Sequence, residues 1–191
     1  MAQLLVDVTP FRPTIRESKT RPGVFEVEGV MQRAKAENQN GRVYSKDILV
    51  REAKKYMEEF VKNGNAFGEL DHPESPVVSL KNASHVVKDL YWKGDDLMGK
   101  VELLNTPAGN IVKEIIQAGH TIGISSRGTG SVNQTNEGHL EVQPDFELVC
   151  WDFVSNPSTH GAFMNPVSLN EGKTVNKYTI LDSIINDILR A

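Results

Sequence analysis

The residues with the most chemical reach lie in Gly123-Ile124-Ser125-Ser126-Arg127-Gly128-Thr129-Gly130, which gathers two hydroxyls, a guanidinium and three glycines at the end of a short apolar run. Glycine lets backbone approach a ligand closely, so a serine among glycines can expose both its hydroxyl and neighbouring amides, the parts of an acyl-transfer site. The same string also reads as a strand running into a Gly-rich turn with Ser and Arg solvated. Partners elsewhere in the chain must decide between the two. A nucleophilic serine needs a base within hydrogen-bond reach and a third group that fixes the base's tautomer. Of the five histidines, His72 is the best placed. It ends Gly68-Glu69-Leu70-Asp71-His72-Pro73, where proline forces an extended exit from a strand and presents the ring at a rigid edge. His85 falls in a strand, His120 at a helix exit, His139 after a polar turn and His160 in a Gly-rich loop.

For the third member Asp152 is favoured, because a carboxylate inside the apolar run 146–154 is costly unless bonded to something specific, and an imidazolium would serve. His85 and Glu69 are the substitutes for that role. An outward-facing Asp152, or one capping the Ser155-Asn156-Pro157 turn, is the competing explanation. A metal centre on Glu69, Asp71 and His72 is rejected: near-adjacent residues of a short extended turn rarely converge on one ion, and no second His-rich element matches them.

The elements that must hold these groups can be read in order. Residues 8–22 lack either regular period and are interrupted by proline, giving an extended arm. A β-rich segment at 24–31 precedes a polar loop at 34–42. Ser45 then caps a helix whose apolar stripe is Leu49, Ala53, Tyr56, Met57, Phe60 and Val61, ended by Asn63-Gly64. Strands follow at 66–70, 84–92 and 96–104, the last two joined by Lys93-Gly94-Asp95. Thr106-Pro107 opens a second helix that delivers the chain to the serine segment. A polar hairpin at 133–138 leads to 139–142 and to the buried strand 146–154. A polar linker from 170 precedes a final helix with Ile180, Leu181, Ile184, Ile185, Ile188 and Leu189 on one face.

Length and composition set outer limits. The 191 residues, 39% hydrophobic and 24% charged, fit one domain with an appendage. Residues 1–22 form the arm, 23–169 the main domain, and 170–191 the linker and docking helix. Cys150 is the only cysteine, which excludes an intrachain disulfide and a thiolate cluster. A net charge of -4 and a pI near 5.8 lack the basic footprint of a nucleic-acid binder, so proteins are the expected partners. No apolar run could span a bilayer or act as a signal peptide, which predicts no membrane partner and a cytosolic location. No residue pattern calls for a cofactor.

The pair of strings at 68–73 and 123–128 resembles the prohead core proteases of T4-like tailed bacteriophages, in the same order and at similar spacing. Met1 to Asp7 is similar to that family's amino-terminal pro-segment, Asn38 to Tyr44 to its Asn/Arg/Tyr loop, Tyr91 to Asp95 to its hairpin, and Asp152 to Ser158 to its post-serine strand. The resemblance runs from residue 1 to about residue 167. It implies an α/β (α+β) fold related to the herpesvirus assemblins, with a β-barrel core surrounded by helices, to which the C-terminal helix is added. It implies a serine endopeptidase inside the prohead, in the host cytoplasm, that digests scaffold and capsid proteins. Carried over, Ser125 is the nucleophile, His72 the general base, and Asp152 holds the place of the assemblins' third residue. Amides near Ser126 and Arg127 form the oxyanion hole. The family cuts after glutamate two positions beyond an aliphatic residue. Leu5-Val6-Asp7 resembles the activation site with Asp for Glu, and Leu169-Asn170-Glu171 matches the pattern, making Asp7 and Glu171 self-cleavage sites. A homo-oligomer is expected. The rival class is a non-catalytic scaffold or tube-like structural protein on the same fold.

Overall fold

In the computed structural model the described residues are 3–9, 14–18, 21–71, 73, 75–136 and 138–155. The elements in chain order are β1 (Gln3–Thr9), β2 (Thr14–Glu17), β3 (Phe25–Arg33), β4 (Arg42–Val43), α1 (Lys46–Tyr56), a π-helical turn (Met57–Val61) and β5 (Phe67–Glu69). After a short 3-10 turn come β6 (Ala83–Lys93), β7 (Asp96–Leu103), α2 (Pro107–Gln117), β8 (Gly123–Gly130), β9 (Val132–Gln134), β10 (Leu140–Val142) and β11 (Glu147–Val154). Both helices start where the caps predict. The Ser45 hydroxyl accepts from the Ile48 amide at 3.3 Å, and the Thr106 hydroxyl accepts from the Gly109 amide at 3.1 Å, with Pro107 in the first turn.

The strands build three sheets, ordered β1-β8-β11, β4-β10-β9 and β2-β3-β7-β6-β5. The result is an α+β architecture, mostly strands with few helices. Among the described residues no sheet closes into the expected barrel, since each keeps two edge strands. The first and third sheets meet where Leu70 bridges Phe153 in parallel and the Asp71 amide donates to the Phe153 carbonyl at 2.8 Å. The expected C-terminal helix lies outside the described residues.

One core fills the space under the five-stranded sheet, where Val27, Met31, Val87 and Val101 meet Tyr56 of α1, Val112 and Ile116 of α2, and Trp151 and Phe153 of β11. Tyr56 stands edge-on to Trp151 at 5.0 Å between centroids. A smaller core joins Leu5 of β1 to Tyr44, Ile48, Leu49, Val142 and Phe146.

Two expectations change here. Within the expected arm, residues 8–9 and 14–17 are strand and are woven into two sheets, with β1 along β8 and β2 along β3. Likewise Gly123 to Gly130 contains no turn: it is one continuous strand, the middle one of its sheet. Its Gly128 is explained by packing, because a Cβ there would lie 2.5 Å from the Phe146 ring and 2.6 Å from the Glu147 carbonyl. The glycine makes room for Phe146 rather than for a visiting backbone.

Candidate active site

Ser125 pairs with Val8 of β1 on one side and with Asp152 of β11 on the other. It is completely buried, and among the described residues its hydroxyl has no hydrogen-bond partner. A buried hydroxyl without a partner is costly, and such groups are found where a ligand or a reaction requires them. Strand alternation sets Ser126 on the opposite face, where its hydroxyl donates to the Asp7 carbonyl at 3.2 Å.

Asp152 is engaged by a guanidinium. Arg127 reaches its Oδ2 from Nε at 3.0 Å and its Oδ1 from Nη2 at 3.3 Å, while the Glu69 amide donates to Oδ1 at 2.9 Å. Arg127 also donates to Glu69 Oε1 at 2.9 Å, to the Ser75 carbonyl at 2.5 Å and to Cys150 Sγ at 3.1 Å. Arg127, Glu69 and Asp152 are fully buried, so each charge depends on the others. Burial works against the Arg127 cation, and Cys150, Asp152 and Glu69 more than offset it, so its pKa is raised. Burial first, then the Asp152 charge, pushes the Cys150 thiol up, which makes it an inert donor rather than a thiolate. The Arg127 side chain is therefore clamped among fixed acceptors. Through Glu69 and the Ser75 carbonyl, the Arg127 side chain ties β5 and the 75–79 loop to β8.

Glu69, named as a substitute third residue, is part of this clamp, its Oε1 also accepting from the Ser79 amide at 3.0 Å. Its Oε2 has no hydrogen-bond partner among the described residues. His85, the other substitute, is fully buried on β6. Its Nδ1 is 2.8 Å from the Ser84 hydroxyl, and its ring meets Phe153 edge-on at 4.6 Å. The Trp151 carbonyl lies beside the ring, but Nε2 completes no hydrogen bond among the described residues. Burial lowers the pKa of His85 to about 4 against the opposing pull of Asp152, so it is neutral at pH 7. Gly68 permits this packing, since a Cβ there would come within 2.1 Å of the Trp151 carbonyl and 2.3 Å of the imidazole.

His72, the expected base, and Glu171 lie outside the described residues. The neighbour that leads to His72 is described: Asp71 has φ +64, unusual for a residue with a side chain, and is tied to β11 through Phe153. Ser126 and Arg127 sit in the middle strand, paired on both sides. Successive strand amides point to opposite edges, so one of these two faces β1 and the other β11.

Asp7 is 2% exposed and held by three side chains. Asn40 Nδ2 donates to Oδ1 at 2.8 Å, Arg42 Nη1 to the same oxygen at 3.0 Å, and the Tyr44 hydroxyl donates to Oδ2. These three residues were singled out in the sequence only as part of a family-like loop, without a role. Sequence spacing gave little signal for them: Arg42 opens the two-residue β4, whereas Asn40 sits in the turn before Gly41, whose φ is +71, so only the folded loop brings the three donors together. An open groove of about 550 Å³ beside Tyr56, Val77 and Leu148 touches β8 at Thr129 and does not reach Ser125.

The family model described as prohead core protein serine protease matches residues 9–174. The chain is 36% identical over 165 residues to the prohead core protein protease of Enterobacteria phage T4, across 85% of this chain and 77% of that protein. Its structure is similar to that of the bacteriophage T4 capsid assembly protease, with a TM-score of 0.76 and 32% identity, covering 82% of this chain and 99% of the other. Fold, sequence and family model agree, and the chain belongs to the prohead core protein serine proteases.

Proposed function

We propose that this protein is the serine endopeptidase of a phage prohead, resident within the procapsid in the host cell, cutting scaffold and capsid proteins after glutamate in aliphatic-x-Glu sequences and cutting itself after Asp7 and Glu171. His72 takes the Ser125 proton, Ser125 attacks the peptide carbonyl, and the amide of Ser126 or Arg127 that faces β1 stabilises the oxyanion once β1 has moved aside. His72 gives that proton to the amine as the peptide C–N bond breaks, and water, deprotonated by His72, then hydrolyses the acyl-enzyme and frees Ser125. Asp152, held by Arg127 and the Glu69 amide, fixes the polar face on which Ser125 sits. No cofactor takes part, and the working form is a homo-oligomer.

The observation that carries the reading is Ser125, a buried serine with an unpartnered hydroxyl directly across the ladder from a fixed carboxylate, in a chain of this protease family. A second reading, a structural protein without turnover, draws on the complete burial of the same serine. Incubation with a Leu-Ala-Glu peptide separates them. Cleavage after Glu, lost in Ser125→Ala and His72→Ala and falling as pH drops through the histidine's titration, supports the protease. Termini that are identical by mass spectrometry in active protein and in Ser125→Ala would sink self-processing, and intact peptide with the active chain would favour the structural role.

A further inference from the structure

The groove that touches β8 at Thr129 is lined by Tyr56, Phe60, Phe67, Val77, Leu80 and Leu148, and its volume is about 550 Å³. Among the described residues the two most exposed large hydrophobics, Val77 at 72% and Leu80 at 69%, both stand in this lining. Exposed apolar surface gathered in one concave place marks a docking site, whereas single exposed apolar residues scattered over a surface do not. The lining is also built into the fold. The segment that carries Val77 and Leu80 is fixed from behind, its Ser75 carbonyl accepting from Arg127 and its Ser79 amide donating to Glu69. A π-helical turn, Met57–Val61, adds Glu59 and Phe60, and such turns are frequent at functional sites.

The groove offers side chains rather than a strand edge. β11 contributes Leu148 and Val149, but its backbone here is engaged by α1: the Leu148 amide donates to Glu52 at 2.9 Å, and Arg51 donates to the Phe146 carbonyl at 2.6 Å. That favours a helix laid into the groove over an added strand, and the anchors of such a helix fall at i, i+3, i+4 and i+7. Leu181, Ile184, Ile185 and Ile188 have that spacing, in the stretch that the sequence reads as a docking helix. Glu52 is paired with Arg51 and Glu147 with Lys55, so among the described residues Glu59 is the lining carboxylate left to meet a cation, and Lys177 and Arg190 bracket the apolar stripe. The described residues end at Ser155, and the about 26 residues from there to Leu181 can span up to about 85 Å, against a radius of gyration of about 15 Å for a domain of ~150 residues. The groove is therefore within reach. Joined in one chain, groove and segment meet at an effective concentration on the order of millimolar, well above that of a second copy in dilute solution.

We propose that the groove is the docking site of this chain's own C-terminal segment, residues 178–190, laid in as a helix with Leu181, Ile184, Ile185 and Ile188 against Val77, Leu80 and Leu148. Docking covers the exposed apolar lining and braces the segment that Arg127 and Glu69 hold from the other side. It does not depend on the protease reading; where that reading holds, a cut after Glu171 severs the link and lets the segment leave.

Two measurements on the full chain test it, both in Ser125→Ala so that the C-terminal segment stays attached whether or not the parent cuts itself. Cys150 is buried, so cysteines added in pairs are the reactive ones. On mild oxidation in dilute solution, Val77→Cys/Ile185→Cys should form an intrachain disulfide at least tenfold faster than Ile111→Cys/Ile185→Cys, whose first position is exposed on α2. In the second, anisotropy follows a fluorescein-labelled peptide of residues 172–191. It should bind the Leu181→Asp/Ile185→Asp chain, whose own segment is released, at least tenfold more tightly than the Ser125→Ala parent. Adding Val77→Asp/Leu80→Asp should abolish that gain, and both positions are exposed, so the fold tolerates the change. Equal disulfide rates at the two positions, or peptide binding that ignores Val77 and Leu80, overturns the proposal. Disulfides between chains in place of the intrachain bond also overturn it and give the groove to a second copy. No binding by the released chain overturns it as well, leaving the groove to a partner of other sequence.

Discussion

Arg127 and Asp152 form a doubly joined pair, Nε to Oδ2 at 3.0 Å and Nη2 to Oδ1 at 3.3 Å, with neither side chain exposed to solvent. The residues come from adjacent antiparallel strands, and Glu69 from a third strand completes the cluster. Removing the cation would leave two carboxylates in the interior. Arg127→Met is expected to cost about 3 to 5 kcal/mol of stability, as for other buried pairs deprived of one member. Arg127→Lys should recover only part, because an ammonium cannot reproduce the planar fork that meets Asp152, Glu69 and the Ser75 carbonyl together. Urea unfolding of the three proteins checks this, and equal midpoints would mean that the carboxylates have other compensation.

His85 supplies a pH dependence of stability with a definite sign. Its pKa is lowered by burial from 6.5 to about 4. Between those values the unfolded chain binds more protons than the folded one, so stability is complete above about pH 6.5 and is lost as pH falls toward 4. The full effect is about 3 kcal/mol at one unit of pKa per ~1.4 kcal/mol. Unfolding free energy should therefore fall between pH 6.5 and pH 5, before most carboxylates titrate. His85→Gln should flatten that slope whatever its effect on absolute stability, and an unaltered slope would assign it to other groups.

Gly128 tests the packing account of the serine strand. An added Cβ meets both the Phe146 ring and the Glu147 carbonyl, and the second is backbone that cannot move without disturbing the β8–β11 ladder. Gly128→Ala is expected to destabilise the fold by about 3 kcal/mol, near the upper end for overpacking. Phe146→Leu in the same chain should relieve only part, since the carbonyl contact remains. A Gly128→Ala protein of parental stability would show that this glycine was retained for another reason.

The elements themselves were largely legible because their signals are local. Ser45 and Thr106-Pro107 announce their helices through caps formed within three residues, and the hairpin at Lys93 to Asp96 follows from one turn sequence. Ser125 and Asp152 were likewise identifiable by type, a serine among glycines and a carboxylate in an apolar run. The two strings that marked the family are contiguous, so one sequence was enough to name it.

What only the tertiary structure decided is who stands beside whom. Asp152 reads alone as a partner for an imidazole, and the fold also brings Arg127, Cys150 and the Glu69 amide against it, of which only Cys150 is near it in the chain. The Gly123 to Gly130 stretch reads as a turn, yet β1 and β11 on either side hold it as a strand. Asp7 and Arg42 give no local hint of each other, because their contact depends on β1 crossing to β8 and on the 38–44 loop arriving on the same face. Helix caps and turns are set by neighbours in the chain. Buried charges are different: desolvation makes each one seek a counter-charge wherever the register of distant strands delivers it, and that register exists only in the folded molecule.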